Sequence, residues 1–595
     1  MSIRPLLLLL VVLSLAAVER PNVVWIVSED NSPYLGCYGE PLARTPVIDG
    51  MAKQGVRYTN ARSAAPVCAP SRCSIITARF AVALGTQNMR SRWPIPDNLR
   101  YFPEHLRDAG YYCTNNAKTD YNVGNDRIKE SWDESSKTAH WKNRPAGKPF
   151  FAVFNTELTH ESSLHKRQPL TTDPAKVRVP AYLPDLPAVR QDIAQYHDRI
   201  ALMDAFVGMK LQELEEAGLL EATIVVYYSD HGGAIPRGKR FLYDSGTLVP
   251  LVVRVPERFT DLAPQAVGTV CDDQVNLIDL GPTVLSWCGV ALPSGIHGRA
   301  IAGPARSPAP AVGFAFRDRM DEKFDSGRAV YDQRYTYIRN YDPLVPHGQH
   351  LGYLWQAASM QAWADAFAAG TLTPAQAAFF KPKAVEELYD RTTDPDNVVN
   401  LAADPARATD LARLRAALQA RLLAIRDSVA APETVLAELR RDQPALTHLA
   451  EESRYPLARL LPLIDRIQVG RDAAAVAASL GDAHPLVRWW GASGAALLSE
   501  EPAALATLLN DPVIAVRIAA AESILRRRSD PAAVAALNTV LSTQADWLPR
   551  LAAANSISRL DDRTPFRAAL EATKQDEEYT KRIVPWLLGR KPPAK

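Results

Sequence analysis

Cysteine is scarce in this chain, with six among 595 residues. Six is too few, and too widely scattered, for the dense disulfide framework that holds small extracellular folds together, so each cysteine has to be read at its own site. An excess of one charge is also missing: 68 Lys and Arg against 66 Asp and Glu leave a net +2. Such a balance carries no electrostatic footprint for nucleic acid or for an acidic membrane surface. Beyond the first residues no apolar run approaches the ~20 residues that a bilayer span needs. The composition, 47% hydrophobic and 23% charged, is that of an ordinary globular protein. Its length allows one large domain with at least one accessory domain.

The opening stretch MSIRPLLLLLVVLSLAA is different. Arg4 precedes an apolar run from Leu6 to Val12 that continues to Ala17, and Ser14 and Ala16 have the small-residue spacing of a cleavage site. This predicts a removable signal peptide over 1–17 and an exported protein, secreted or periplasmic, with no membrane span once the peptide is removed. An uncleaved anchor is the alternative, and the shortness of the run counts against it.

Four apolar runs of strand length end in polar residues able to do chemistry. Asn22–Val27 leads to Ser28-Glu29-Asp30, Tyr111–Thr114 to Lys118, Pro149–Phe154 to His160, and Thr223–Tyr228 to Asp230-His231. Between them lie helical patterns at Phe102–Ala109 and Asp192–Ala217, where Ile200, Leu202, Met203, Phe206 and Leu211 recur near helical spacing. The alternation predicts an α/β fold with a doubly wound, mostly parallel sheet. In such sheets ligands bind beyond the carboxyl ends of the strands, so residues at four such ends form one candidate site.

The predicted catalytic domain spans 18–310. From 311 to 405 shorter alternating pieces such as Tyr335–Arg339 predict a smaller α+β subdomain packed on it. Over 406–595 the chain is Ala-, Leu- and Arg-rich and helical, beginning with Leu411, Leu414, Leu418, Leu422 and Ile425. Asp482–Arg488, Asp511–Arg517 and Asp546–Arg550 each open a helix with an Asp-to-Arg phrase. That periodicity resembles degenerate HEAT-type repeats stacked as a short solenoid, with a plain helical bundle as the alternative.

The most specific stretch is Pro66-Val-Cys68-Ala-Pro70-Ser71-Arg72-Cys73-Ser-Ile-Ile-Thr77-Ala78-Arg79. It resembles the signature of the sulfatase family, C-x-P-S-R followed by an apolar-Thr-Gly phrase, with Ala78 where glycine is usual. The resemblance extends to the opening strand with Glu29-Asp30, to Thr45-Pro46 and Asp49, and to Ser229-Asp230-His231-Gly232. It continues through Gly238-Lys239-Arg240 with Leu242-Tyr243 and through Glu387-Leu388-Tyr389-Asp390 with Asp394-Pro395 and Asn400-Leu401. Together these cover roughly residues 20 to 405, within an alkaline-phosphatase-like fold.

The resemblance implies roles. Cys68 would be oxidised to formylglycine by a formylglycine-generating enzyme. A hydrated aldehyde carries two hydroxyls: one attacks sulfur and expels the alcohol, and loss of the second proton then ejects sulfate and restores the aldehyde. Ser71–Ile76 would begin a helix with Pro70 in its first turn and its dipole aimed at the anion. Arg72 would hold the site in register. Glu29, Asp30, Asp230 and His231 would bind one divalent cation. Carboxylate oxygens favour Ca²⁺, while the imidazole nitrogen leaves Mg²⁺ or Mn²⁺ open. Glu29 stands where the family more often has Asp, and His231 where many members have Asn. Lys118 and Lys239 would neutralise the sulfate oxygens, and His160 would hydrogen-bond the sulfate or protonate the leaving group. Asp120 stands where the family commonly has histidine, so either it assists the diol or that role is vacant.

Leu84–Arg90, Arg317-Asp318-Arg319-Met-Asp321-Glu322 and Tyr335–Asn340 look most like the heparan N-sulfatase-like branch, whose members act on sulfated sugars. On that reading the substrate is a sulfated carbohydrate, and Arg317, Asp318 and His297 face the sugar. Two rivals are a phosphodiesterase or phosphonate hydrolase of the same superfamily, and a non-catalytic glycan-binding protein whose helical tail is the working part. Cys68 within its signature argues against the first, and the retained acids and lysines against the second.

Overall fold

The computed structural model describes residues 20–440 and 443–590, so the predicted signal peptide lies outside the described residues. An eight-stranded sheet forms the centre. Its strands are β1 (Asn22–Ser28), β2 (Gly55–Tyr58), β3 (Tyr112–Asn116), β4 (Glu134–Ser135), β5 (Phe150–Thr156), β6 (Thr223–Ser229), β7 (Leu251–Arg254) and β8 (Val270–Cys271). Their spatial order is β4-β3-β5-β1-β6-β7-β2-β8. The half from β4 to β6 is parallel, and β7 pairs antiparallel with both β6 and β2.

Burial on both faces explains why β1 reads as an unbroken apolar run. Val23, Trp25 and Val27 enter one core with Phe102, Phe151 and Val226, while Val24 and Ile26 enter the other with Ala152, Val225 and Tyr227. Each such side chain contributes about 1.5–3 kcal/mol on burial. Helix α1 (Cys68–Thr77) covers the first face together with Phe102–Asp108 and Leu280–Trp287. Helix α2 (Pro187–Glu216) covers the second together with Pro46–Lys53. The α2 helix starts earlier than its apolar pattern predicts because Pro187 suits the first turn. Its inward stripe is Ile193, Ile200, Met203, Val207 and Leu214, and Leu202, expected inside, is 50% exposed because it falls off that stripe.

A second, antiparallel sheet runs in chain order through β9 (Gly313–Arg317), β10 (Gly327–Tyr331), β11 (Tyr335–Asn340) and β12 (Glu386–Asp390). Helix α3 (Ala408–Ile425) follows, burying Leu414, Leu418, Leu422 and Ile425. From there to Leu587 the described elements are all helical. The Asp-to-Arg phrases have a shared local cause. Asp482, Asp511 and Asp546 each accept the backbone N–H two residues on, at 2.8, 2.9 and 3.1 Å. Arg488, Arg517 and Arg550 reach back to the carbonyls of Asp482, Asp511 and Gln544 at 2.9, 2.6 and 2.6 Å. These caps satisfy backbone groups that a helix start leaves unpaired.

Candidate active site

Strand register builds the site. Ser28 of β1 lies opposite Thr156 of β5 on one side and Ser229 of β6 on the other, so the residues that follow all three emerge at one edge. Glu29-Asp30 and Asp230-His231 therefore leave the sheet side by side. They are tied together by Asp30 N donating to Asp230 Oδ1 (3.2 Å) and Asn31 N donating to Ser229 Oγ (2.9 Å). Asp30 adopts φ +50°, a left-handed conformation that costs an L-residue about 1–2 kcal/mol. Tyr196, donating its hydroxyl to Asp30 O at 2.5 Å, and Glu161 N, donating to Asp30 Oδ2 at 2.8 Å, hold it there.

Helix α1 begins at Cys68 itself, earlier than the sequence pattern predicts, with Val67 extended before it and its carbonyl accepting from Ser71 N at 3.2 Å. Ser71 Oγ donates to Asp230 O at 2.6 Å and seats the helix start on β6. At the other end Ala78 takes φ +51°, which explains why glycine is usual at this position.

Cys68 Sγ lies 3.2 Å from His231 Nε2 and 3.9 Å from Asp30 Oδ1. Glu29, Asp30, Cys68 and His160 form one group, and Cys68, Asp230 and His231 another, with the ligand atoms of each group within 4.8 Å of one another. His231 Nδ1 is 3.0 Å from Gly232 O, an oxygen that only accepts, so the proton sits on Nδ1 and Nε2 faces Cys68 and the aspartates. Burial resists charge on this ring, but Asp230, Cys68 and Asp30 outweigh it and raise His231 well above its ordinary value. The site thus draws positive charge to Nε2, which a proton or a metal ion can supply.

Glu29 tests whether a cation fits. Its Oε2 accepts from Lys118 Nζ at 2.7 Å. Its Oε1 is buried without a hydrogen-bond partner, and Arg72 Nη2 comes no nearer than 3.8 Å. Burial pushes this carboxyl up to about 7, with Arg72 pulling it down and Cys68 and Asp230 adding to the rise. An orphaned carboxylate oxygen beside Asp30, Asp230 and a ring nitrogen is a donor set that suits a hard or borderline divalent ion.

Cations close the remaining sides. Arg72 donates from Nε to Asp230 Oδ2 (3.0 Å) and from Nη1 to Asn155 Oδ1 (2.8 Å). Lys239 Nζ reaches Asp30 Oδ2 (2.8 Å) and Glu161 Oε1 (3.0 Å), and lies 3.2 Å from His160 Nε2. Burial and the Lys239 ammonium lower His160 below its ordinary value, so the ring is neutral at neutral pH.

Not every predicted site residue arrives. Asp120, partly buried with φ +53°, exerts its charge on Arg90 and is not among the groups converging on Cys68. His297 sits at the far end of α1, stacked on Phe80 and accepting from Phe80 N at 3.1 Å. Arg317 and Asp318 are buried in the second sheet, paired with Asp325 (3.2 Å) and Arg328 (3.0 Å). The sugar-facing assignment of these three is therefore corrected: Arg317 and Asp318 lie in buried ion pairs and His297 packs on Phe80 at the far end of α1. Conversely, sequence reasoning missed Glu161 and gave Arg240 no role. Arg240 grips Glu161 through Nη1 and Nη2, both at 2.8 Å, beneath Lys239. The available signal was adjacency, since each directly follows a residue already singled out.

The family model described as Sulfatase matches residues 21–290. An ulvan-active sulfatase from Formosa agariphila is 36% identical over 470 residues, covering 70% of this chain and 77% of the relative. The human N-sulphoglucosamine sulphohydrolase is 28% identical over 488 residues, covering 72% and 95%. A protein solved in complex with its substrate D-glucosamine-2-N,6-O-disulfate superposes with a TM-score of 0.51 at 18% identity, covering 70% of this chain and 99% of that one. A phosphonate monoester hydrolase from Agrobacterium radiobacter gives 0.52 at 15%, covering 69% and 97%. The fold alone therefore does not separate sulfate from phosphonate chemistry.

Proposed function

We propose that this chain, which belongs to the sulfatase family, removes sulfate from a sulfated carbohydrate through a formylglycine made from Cys68 and one divalent cation. The observation that carries the proposal is Cys68 Sγ in the first turn of α1, 3.2 Å from His231 Nε2 and 3.9 Å from Asp30 Oδ1. A catalytic residue there meets acids, an imidazole and two lysines together.

Hydrated formylglycine at 68 would supply one hydroxyl that bonds to sulfur as the ester S–O bond breaks. Its second hydroxyl, on losing a proton, releases sulfate and re-forms the aldehyde. Bound by Glu29, Asp30, Asp230 and His231, the cation would supply positive charge where negative charge develops. Ca²⁺ fits the carboxylates, and Mg²⁺ or Mn²⁺ fits the added nitrogen. The chain's own groups do the rest. Arg72 fixes Asp230 and spans to β5 through Asn155. Lys118, held by Glu29 at 2.7 Å, turns its other N–H bonds to the sulfate oxygens, and Lys239, held by Asp30 at 2.8 Å and Glu161 at 3.0 Å, turns its third. His160, partly exposed beside Lys239, hydrogen-bonds the sulfate or, once it has taken up a proton, passes it to the leaving oxygen.

Sulfated sugars are favoured because the relatives named above act on ulvan or on N-sulphoglucosamine. The proposal includes export to the periplasm or medium, maturation by a formylglycine-generating enzyme, and a HEAT-like tail over 406–595. The shared Asp/Arg caps support the repeat reading. Sulfate release from ulvan oligosaccharides and from N-sulfoglucosamine, measured beside a phosphonate monoester with one preparation, tests the function. We expect sulfate release that Cys68→Ala lowers by about four orders of magnitude or more, with sulfur missing from the wild-type Cys68 peptide by mass spectrometry. Faster phosphonate hydrolysis, or full activity in Cys68→Ala, would overturn the proposal.

A further inference from the structure

The last described helix of the tail, Glu578–Leu587, docks directly behind the candidate site. Tyr579 donates its hydroxyl to Met89 O at 3.4 Å, and Glu578 accepts from Arg90 Nη1 at 2.9 Å. Met89 packs with Val67, the residue before Cys68. From this helix Arg582 reaches Asp321 Oδ1 at 3.4 Å, with Glu322 Oε2 at 3.6 Å. Glu578 also faces Arg582 from one turn earlier on the same helix.

A continuous chain of buried charge runs on from Asp321. Its Oδ2 accepts from Arg240 Nε (3.0 Å) and Nη2 (2.9 Å). Arg240 grips both oxygens of Glu161 at 2.8 Å. Glu161 Oε1 lies 3.0 Å from Lys239 Nζ, while its own backbone N donates to Asp30 Oδ2 at 2.8 Å. The side chains of Lys239, Glu161, Arg240 and Asp321 are 3, 4, 1 and 6% exposed, so water screens little of this.

We infer that Arg582 of the tail is a positioning residue for Lys239, acting through Asp321, Arg240 and Glu161. The inference rests on the sulfatase reading for what Lys239 binds. Along this chain three carboxylates, Asp30, Glu161 and Asp321, meet three cations, Lys239, Arg240 and Arg582. Without Arg582, Asp321 draws more heavily on Arg240. Glu161 then draws on Lys239, and the ammonium turns from the sulfate toward the protein. The tail thus completes the wall of a site whose chemistry lies in the preceding domain.

The test uses the full-length mature protein and two readouts, sulfate-ester turnover and binding of inorganic sulfate by calorimetry. Arg582→Met lowers kcat/KM about ten- to a hundredfold, the loss expected for a displaced catalytic group, and weakens inorganic sulfate about tenfold. Arg582→Lys recovers most of both. In an Asp321→Asn background the same Arg582→Met change has less than about a twofold further effect, because the two act in series. Arg488→Met cuts a tail ion pair with Asp511 (2.6 Å) remote from this chain and leaves both readouts unchanged. Wild-type values in Arg582→Met, full additivity with Asp321→Asn, or equal losses in Arg488→Met would overturn the inference. Sulfate affinity that depends on Arg582 in a wild-type protein releasing no sulfate would sink the sulfatase reading and leave the positioning role standing.

Discussion

Buried charge gathers in two regions of this protein, at the carboxyl edge of the eight-stranded sheet and within the antiparallel sheet, and the two are built differently. Beside the antiparallel sheet the buried Asp318, Asp325 and Asp427 each have a cation within 3.2 Å. Asp325 meets Arg317 at 3.2 Å and Lys383 at 2.5 Å, while Arg328 spans Asp318 at 3.0 Å and Asp427 at 2.8 Å. At the first edge the groups are splayed around Cys68, and Glu29 Oε1 has no donor within hydrogen-bond range. Paired charges act as cross-links whose net worth is near break-even, because desolvation cancels most of the attraction. An unpaired one is retained only where something else will meet it. The 3.8 Å reach from Glu29 Oε1 to the Arg72 guanidinium, against 3.0–3.2 Å in the second region, and not burial of charge, therefore sets the first edge apart.

Changes at either region should break this contrast or sharpen it. The largest effect is expected for Asp30→Asn, which removes a carboxylate facing His231, Lys239 and the metal position. Sulfate release should fall about a thousandfold, with chelation producing a similar loss that added Ca²⁺ reverses in the wild type. Full activity after chelation would show that the orphaned oxygen awaits no cation. Asp325→Asn should do the opposite. Stranding Lys383 and Arg317 costs about 3–5 kcal/mol of stability, read as a lowered Tm, while the folded fraction keeps its KM and kcat. The smallest effect is at His297, which burial, with Arg79 and Arg421, lowers to about 4. Its ordinary value of 6.5 applies to the unfolded chain, so the neutral ring contributes stability above pH 6.5 that is lost as pH falls through about 4. His297→Gln should flatten the unfolding free energy against pH across that window by up to about 3 kcal/mol and leave kcat/KM alone. A rise in KM for the sugar would return His297 to the substrate wall.

Much of this was readable in the chain itself. The apolar runs before Glu29, Lys118, His160 and Asp230 became β1, β3, β5 and β6 with ends shifted by a residue or two, because strands buried on both faces leave a continuous apolar signal. Arg317, Asp318 and His297 misled because a charged or imidazole side chain looks the same in sequence whether it faces a ligand or closes a buried pair. Glu161 and Arg240 passed unused because their work lies in gripping each other, a pairing separated by 79 positions.

Residue type and local spacing settled the α/β alternation and the polar strand ends, while the resemblance of the stretch around Cys68 pointed to that residue. The first two depend on periodicity within a few turns of chain. Only folding decided that Ser28, Thr156 and Ser229 lie abreast, that one oxygen of Glu29 is stranded, and that Arg582 stands behind Lys239. Such facts follow from strand register and helix docking between distant segments, and desolvation gives each charge its meaning only once those segments have met.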